Sequence, residues 1–190
     1  MSAQGDFTVS ELSDSIFLLM QGKSYPTGCT VRRSDLRYLS VLHVDAEGCV
    51  HKGELVCNKA IADDLIVIFR KLYEARYPIE RMQLIDHYDA DDERSMAHNN
   101  TSCFCYRVIN GSTKLSKHSL GMAVDLNPLY NPCVKGKMVQ PKSGWRYADR
   151  SGSFRYKIVR GDLAWRLFTQ HGFQWGGAWR SLKDWQHFEK

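Results

Sequence analysis

The residues in this chain best suited to hydrolytic chemistry sit in two short stretches. His118 and Asp125 stand seven apart in "SKHSLGMAVDLNP", residues 116–128, with Gly121 between them. If residues 122–126 are extended, Met122, Val124 and Leu126 face a core, and Ala123 and Asp125 face the other way onto a partly open surface. Gly121 lets the chain turn just ahead of them, so His118 can fold back over the same face. An imidazole nitrogen and a carboxylate oxygen meeting there are suited to zinc. A catalytic zinc takes three protein ligands and keeps one position open, and "KDWQHFEK" at the end of the chain offers His187 as the third. Asp184, three residues earlier, reaches the same place as a general base without binding the metal, provided the chain turns there. Two neutral histidines and one aspartate leave such a centre net positive, which lowers the pKa of a water held there from 15.7 toward ~7.

A cation would complete the set. In "SCFCYRVIN", residues 102–110, alternation puts Phe104, Tyr106 and Val108 on one face and Cys103, Cys105 and Arg107 on the other. Arg107 is therefore placed on the site wall, where it would hold a substrate carbonyl or carboxylate. Each residue also has a plainer reading. His118 alone suits an ordinary hydrogen-bonded histidine. Asp125, just ahead of Asn127 and Pro128, suits turn chemistry. His187 suits a frayed end, and Arg107 a structural ion pair. His43, His51, His87, His98 and His171 carry only such plain readings. "DADDERS", residues 89–95, lacks the glycine and distal glutamate of a calcium loop and reads as a solvated turn. "FQWGGAW" reads as core plus a tight Gly-Gly turn, or as Trp175 and Trp179 bordering a cleft.

These residues need elements to position them. "SELSDSIFLLMQG" predicts a helix capped by Ser10, with Leu12, Ile16 and Leu19 on one side and Gly22 closing it. "DLRYLSVLHVD" predicts a strand, followed by a turn at Glu47 and Gly48 and a second extended piece through Val56. "NKAIADDLIVIFRKLYEARYP" is the best helix: Asn58 caps it, Ile61, Leu65, Ile68 and Leu72 recur at helical spacing, and Pro78 stops it. "MQLID", "SCFCYRVIN" and "MAVDLN" predict strands. "DLAWRLFTQHG" predicts a helix between Asp162 and Gly172, and residues 129–160 read as loop. Helices and strands mix without regular alternation. The expectation is a single α+β domain, one antiparallel sheet flanked by helices.

Composition narrows the classes. The chain has 190 residues, enough for one sizeable core, with 43% hydrophobic and 25% charged residues, as in ordinary globular chains. The formal charge of +5 is scattered and no nucleic-acid motif accompanies it, so no nucleic-acid partner is expected. Six cysteines (Cys29, Cys49, Cys57, Cys103, Cys105 and Cys133) are too few for a disulfide scaffold, and none forms a C-x-x-C pair. They read as small buried residues, with one bridge left open. No apolar run is long enough to span a membrane. The strongest such run, "IFLLM" at residues 16–20, also lacks the charged start and small-residue cleavage site of a signal peptide, and the opening "MSAQG" fits a start left by removal of a leader.

Ser116, His118, Gly121, Ala123 and Asp125 form S-x-H-x-x-G-x-A-x-D, which resembles the signature of the zinc D-Ala-D-Ala carboxypeptidase and L-Ala-D-Glu endopeptidase family, the VanY-like peptidases. The closing D-x-x-H-F-E, residues 184–189, resembles that family's second signature, and Tyr106 with Arg107 resembles a third element upstream. The likeness covers residues from about 100 to 190, where "GGAW" is also similar; residues before about 80 carry no signature. The resemblance implies a hedgehog/DD-peptidase fold, with an extension over residues 1–80 packed on a zinc peptidase core at 81–190. It implies one zinc per chain held by His118, Asp125 and His187, with Asp184 as catalytic base. Glu is common in that place, and Asp matches the endopeptidase-like branch. Arg107 would then stabilise the oxyanion or anchor a carbonyl, and Ser116 and Trp179 would serve substrate binding. The substrates implied are peptidoglycan stem peptides, cut either at L-Ala-D-Glu or at D-Ala-D-Ala. A monomer is expected, located in the cell envelope or periplasm or secreted, with a cytoplasmic location left open. The alternative of another class is a zinc-containing cell-wall-binding or interaction module of the same fold without catalysis.

Overall fold

The computed structural model describes residues 6–109 and 113–190. The opening stretch read as a processed start, and Asn110 at the end of an expected strand, lie outside the described residues. In chain order the elements are β1 (Thr8–Ser10), α1 (Asp14–Met20), β2 (Leu36–Val44), β3 (Val50–Asn58), α2 (Lys59–Glu74), β4 (Arg81–Met82), α3 (Asp92–Ala97), β5 (Asn100–Thr101), β6 (Ala123–Asp125), β7 (Cys133–Lys135), β8 (Met138–Gln140), α4 (Leu163–Gln170), β9 (Gln174–Trp175), β10 (Lys183–Asp184) and β11 (His187–Glu189). Short 3-10 turns join them, one of which, Lys117–Leu120, carries His118.

The β2–β3 hairpin runs in register from Leu36 opposite Asn58 to Val44 opposite Val50. Asp45 closes its turn, its Oδ1 accepting from the amides of Glu47 (3.0 Å) and Cys49 (2.8 Å). Asn58 then starts α2 as expected, its side chain accepting from the Ala60 amide at 3.0 Å, a cap worth about 1 kcal/mol. Ile61, Leu65, Ile68 and Leu72 are all buried, so the helical period correctly located the face that packs on β2. The main core joins Leu39, Leu65 and Phe69 from the first half of the chain to Val124, Phe168 and Phe188 from the second, and a smaller cluster gathers Leu12, Met20, Leu36 and Phe104.

Mixed helix and antiparallel sheet make this an α+β arrangement, but the expected single sheet is replaced by several small ones. Strands β1-β2-β3, β10-β7-β8 and β6-β11-β9 form three antiparallel sheets, and β4 pairs with β5 in parallel. Other expectations also need correction. Ser10 ends β1 opposite Tyr38, so it cannot cap α1; Ser13 does so, accepting from the Ile16 amide. "MQLID" is strand only at Met82 and turns into a 3-10 segment at Ile85–Tyr88. Residues 102–108 form bridges rather than a continuous strand, because their amides alternate between partners: Phe104 donates to the Val56 carbonyl, Cys105 to His118 and Tyr106 to Ser24. The alternation of side chains still holds there, with Phe104 and Tyr106 in one apolar cluster and Cys103 in the main core. Residues 129–160 are not all loop: they contain the β7–β8 hairpin and a 3-10 turn, Lys142–Tyr147. All six cysteines are free thiols; Cys57, Cys103 and Cys105 are buried, Cys29 and Cys133 half-buried and Cys49 exposed.

Candidate metal centre and active site

The β6-β11-β9 sheet brings two of the candidate ligands together. In the antiparallel pairing of β6 with β11, His187 lies directly opposite Asp125, so their side chains leave the same face side by side. The partners of Phe188 explain why this end of the chain is held. Its ring stacks on Phe168 at 4.3 Å and is fully buried, and burying a Phe side chain is worth roughly 1.5–3 kcal/mol. His187 is therefore on a fixed strand, not a frayed end.

His118 arrives from the 3-10 turn before β6. Ser116 caps that turn, its Oγ accepting the His118 amide at 3.2 Å. Gly121 closes it at φ +67°, and a Cβ there would lie 2.6 Å from the backbone nitrogen of Asn58. Only glycine permits both the left-handed turn and this approach. The Asn58 amide in turn donates to the Gly121 carbonyl at 2.9 Å, so the β3–α2 junction braces the loop that carries His118.

His118, Asp125 and His187 are buried, and their ligand atoms all lie within 4.8 Å of one another. His118 Nε2 is 3.1 Å from Asp125 Oδ2, and His187 Nδ1 is 2.9 Å from Asp125 Oδ1. The two ring nitrogens are 3.3 Å apart. The opposite nitrogens fix the tautomers. His118 Nδ1 sits 2.6 Å from the Cys103 carbonyl, which can only accept. His187 Nε2 sits 3.1 Å from Glu189 Oε2. In the neutral rings, both remaining nitrogens then present lone pairs toward each other and toward a carboxylate. Three acceptors converging in a buried space require a cation among them, a proton or a metal. Burial alone would lower the His187 pKa, yet the bonds to Asp125 and Glu189 raise it to about 10. Burial likewise opposes ionisation of Asp125, but His118 and His187 hold its carboxyl well below the usual range. The donor set fits a zinc site with oriented imidazoles.

Asp184 lies beside this cluster. Burial pushes its pKa up to about 6 despite the pull of His187. Its Oδ1 is buried with no hydrogen-bond partner among the described residues, the state expected of a base that waits for a proton. Gly176 makes room for it. A Cβ on Gly176 would lie 2.7 Å from the Asp184 carbonyl oxygen, 2.8 Å from Asp184 Cβ and 3.2 Å from His187 Cβ. Gly176→Ala should therefore displace both residues at once. The expected result is weaker metal binding together with a loss of roughly 1–3 kcal/mol in stability, read by zinc titration and by denaturant unfolding. An unchanged zinc affinity would show that the close approach has no part in building the site.

Trp179 is half-exposed with its ring 5.3 Å from that of His187, at the edge of the cluster. Ser116 is buried and occupied in holding the His118 turn. Arg107 is half-buried, near enough to Asp125 for the two charges to interact, and its Nε is ion-paired with Asp92. Asp125 itself is only 8% exposed, less open than the alternation predicts. Three contributors escaped the sequence reading. Glu189 orients His187, and the signal was available, since i and i+2 on a strand share a face. Cys133 lies opposite Asp184 in the β7–β10 pair, with its thiol interacting with that carboxylate; no spacing pointed to it. Asp92 belongs to the acidic run read as a solvated turn. The histidines given plain readings have plain partners: His43 bonds the Ile79 carbonyl, His51 pairs with Asp45 and His171 with Asp64.

No helix among the described residues is long and apolar enough to cross a membrane. No curated protein and no solved structure gives a significant match to the chain. A family model does match, over residues 110–190, and its description is D-alanyl-D-alanine carboxypeptidase. His118, Asp125, Asp184 and His187 all fall inside that span, whereas Arg107 and Asp92 fall before it. The segment that builds the buried His-Asp-His cluster is thus the segment that matches the D-alanyl-D-alanine carboxypeptidase family.

Proposed function

We propose that the chain is a zinc-dependent peptidase of bacterial cell-wall peptidoglycan, with a hedgehog/DD-peptidase fold. The observation that carries this reading is the convergence of His118 Nε2, His187 Nδ1 and the Asp125 carboxylate as three buried acceptors, within the segment that matches the peptidase family. These residues hold one zinc per chain. When bound, zinc supplies a Lewis acid that polarises the scissile carbonyl and acidifies a water. Asp184 takes the proton from the attacking water and passes it to the leaving amine, without a covalent acyl intermediate. A carboxyl held near 6 by burial is suited to both halves of that transfer at neutral pH. Arg107 stabilises the oxygen on which negative charge develops. Trp179 borders the substrate, and Ser116 serves the site by holding the His118 turn.

The substrates are stem peptides, whose carboxylates suit a basic chain with an arginine in the site. Residues 81–190 form the peptidase core, and residues 1–80 brace it as an extension within one compact, monomeric unit. The substrate places the protein in the cell envelope or outside the cell. Two cuts are chemically open, L-Ala-D-Glu and D-Ala-D-Ala. Residues 129–160 set the choice, because a carboxypeptidase needs a closed end with a carboxylate clamp and an endopeptidase needs room on both sides. The test is digestion of a synthetic stem pentapeptide ending in D-Ala-D-Ala by the zinc-loaded protein, followed by mass spectrometry. Loss of one D-Ala identifies the carboxypeptidase cut, and release of L-Ala the endopeptidase cut. Bound zinc with no product from this or any longer muropeptide would leave the non-catalytic wall-binding module as the better reading.

A further inference from the structure

Taking Arg107 as part of a working peptidase site, we infer that Asp92 is the residue that positions it. The acidic stretch at residues 89–95 reads in sequence as a solvated turn, yet its carboxylates have separate uses. Asp89 pairs with Lys23 at 3.0 Å and with Arg94 at 3.1 Å. Asp91 caps α3, accepting from the Arg94 amide at 2.9 Å. Glu93 accepts from the Lys142 amide at 2.5 Å, which fastens α3 to the stretch of residues 129–160. Asp92 alone turns toward the site. Its carboxylate pairs with Arg107 Nε, and its other charged neighbours are His118 and Asp125.

That geometry answers a problem Arg107 poses. Its guanidinium lies on a segment of bridges, not in a continuous strand, and a long side chain there has many rotamers to lose. A cation beside a centre that itself binds a cation would also be repelled from it. A carboxylate on Nε removes both difficulties. It anchors the guanidinium and balances its charge, beside the Cys105 thiol that also interacts with Arg107, so that the group is held ready for a substrate oxygen. The carboxylate comes from a short helix pinned at both its cap and Glu93, so it is itself held in place.

The test compares wild type, Asp92→Asn, Asp92→Glu, Arg107→Ala and the Asp92→Asn/Arg107→Ala double variant, each as the full zinc-loaded chain. Asp92→Asn should lower kcat/KM on stem peptide by about tenfold or more while zinc content and Tm stay near wild type, and Asp92→Glu should recover part of the loss. Adding Asp92→Asn to Arg107→Ala should cost nothing further, since the two act as one unit. Additive losses, or full activity in Asp92→Asn alongside a crippled Arg107→Ala, overturn the inference. A second readout needs no activity: the Arg107 Nε–H resonance should be protected from exchange in wild type and lose that protection in Asp92→Asn. No protection in wild type overturns the contact. Protection in a chain inert to every stem peptide would instead sink the peptidase reading, and with it any part for Asp92 in turnover.

Discussion

Asp184→Asn should keep its full zinc complement and lose between a hundredfold and ten-thousandfold in turnover, about what a positioned general base contributes. The substitution leaves shape and burial almost unchanged and removes only the ability to take a proton. Wild-type activity should rise with pH as Asp184 ionises. Burial raises its pKa to about 6 in the metal-free protein, and a divalent cation held nearby favours the charged form. The acid limb of the rate profile therefore lies at or somewhat below 6 in the loaded enzyme, and it should vanish from any residual activity of Asp184→Asn. Steady-state rates across pH 4 to 8, with zinc measured on the same samples, check both points. Full activity in Asp184→Asn would assign the base elsewhere.

Asp125→Ala should be the most damaging change to metal binding. It removes the carboxylate that lies between two buried imidazoles, 3.1 Å from one and 2.9 Å from the other. Zinc affinity should fall by more than the roughly 10–100-fold that loss of a supporting hydrogen bond costs. Stability without metal should fall too, and the dependence on pH has a definite sign. Asp125 has a depressed pKa, so its contribution is present above the ordinary carboxylate value, about 3.9. His187 has a raised pKa, so its contribution is present below the ordinary imidazole value, about 6.5, and is lost as pH rises toward about 10. The gap in denaturant midpoint between wild type and Asp125→Ala should be widest from about pH 4 to 6.5 and shrink as the solution becomes alkaline. A gap that grew with pH would mean that His187 is not held protonated by Asp125.

What the sequence made legible follows the range of the interactions involved. Asn58, Asp162 and the period of α2 act within a turn or two of the helix, and the structure has them as expected. The two-residue period around Asp125 is equally local, and it separated Val124 and Leu126 from the carboxylate correctly. The first helix does not start at Ser10, because a partner far along the chain, Tyr38, claims that backbone for a strand. The single expected sheet divided into several because residues 102–108 spread their amides over three partners, none visible in their own spacing. At the site, His118, Asp125 and His187 could be picked out by residue type, while their tautomers depend on Cys103 and Glu189. Asp92 is hidden for a different reason: four neighbouring acids look alike in sequence, and only the separate partners that the folded chain gives each of them tell them apart.

The convergence of His118, Asp125 and His187 as three buried acceptors predicts a bound metal. Elemental analysis of the wild-type protein, purified without chelators, tests it most directly. About one zinc per chain is the predicted result, as for a site of three protein ligands with one position open. A chain that carries no zinc, and takes up none when zinc is added back, would mean that the His118–Asp125–His187 cluster holds only a proton.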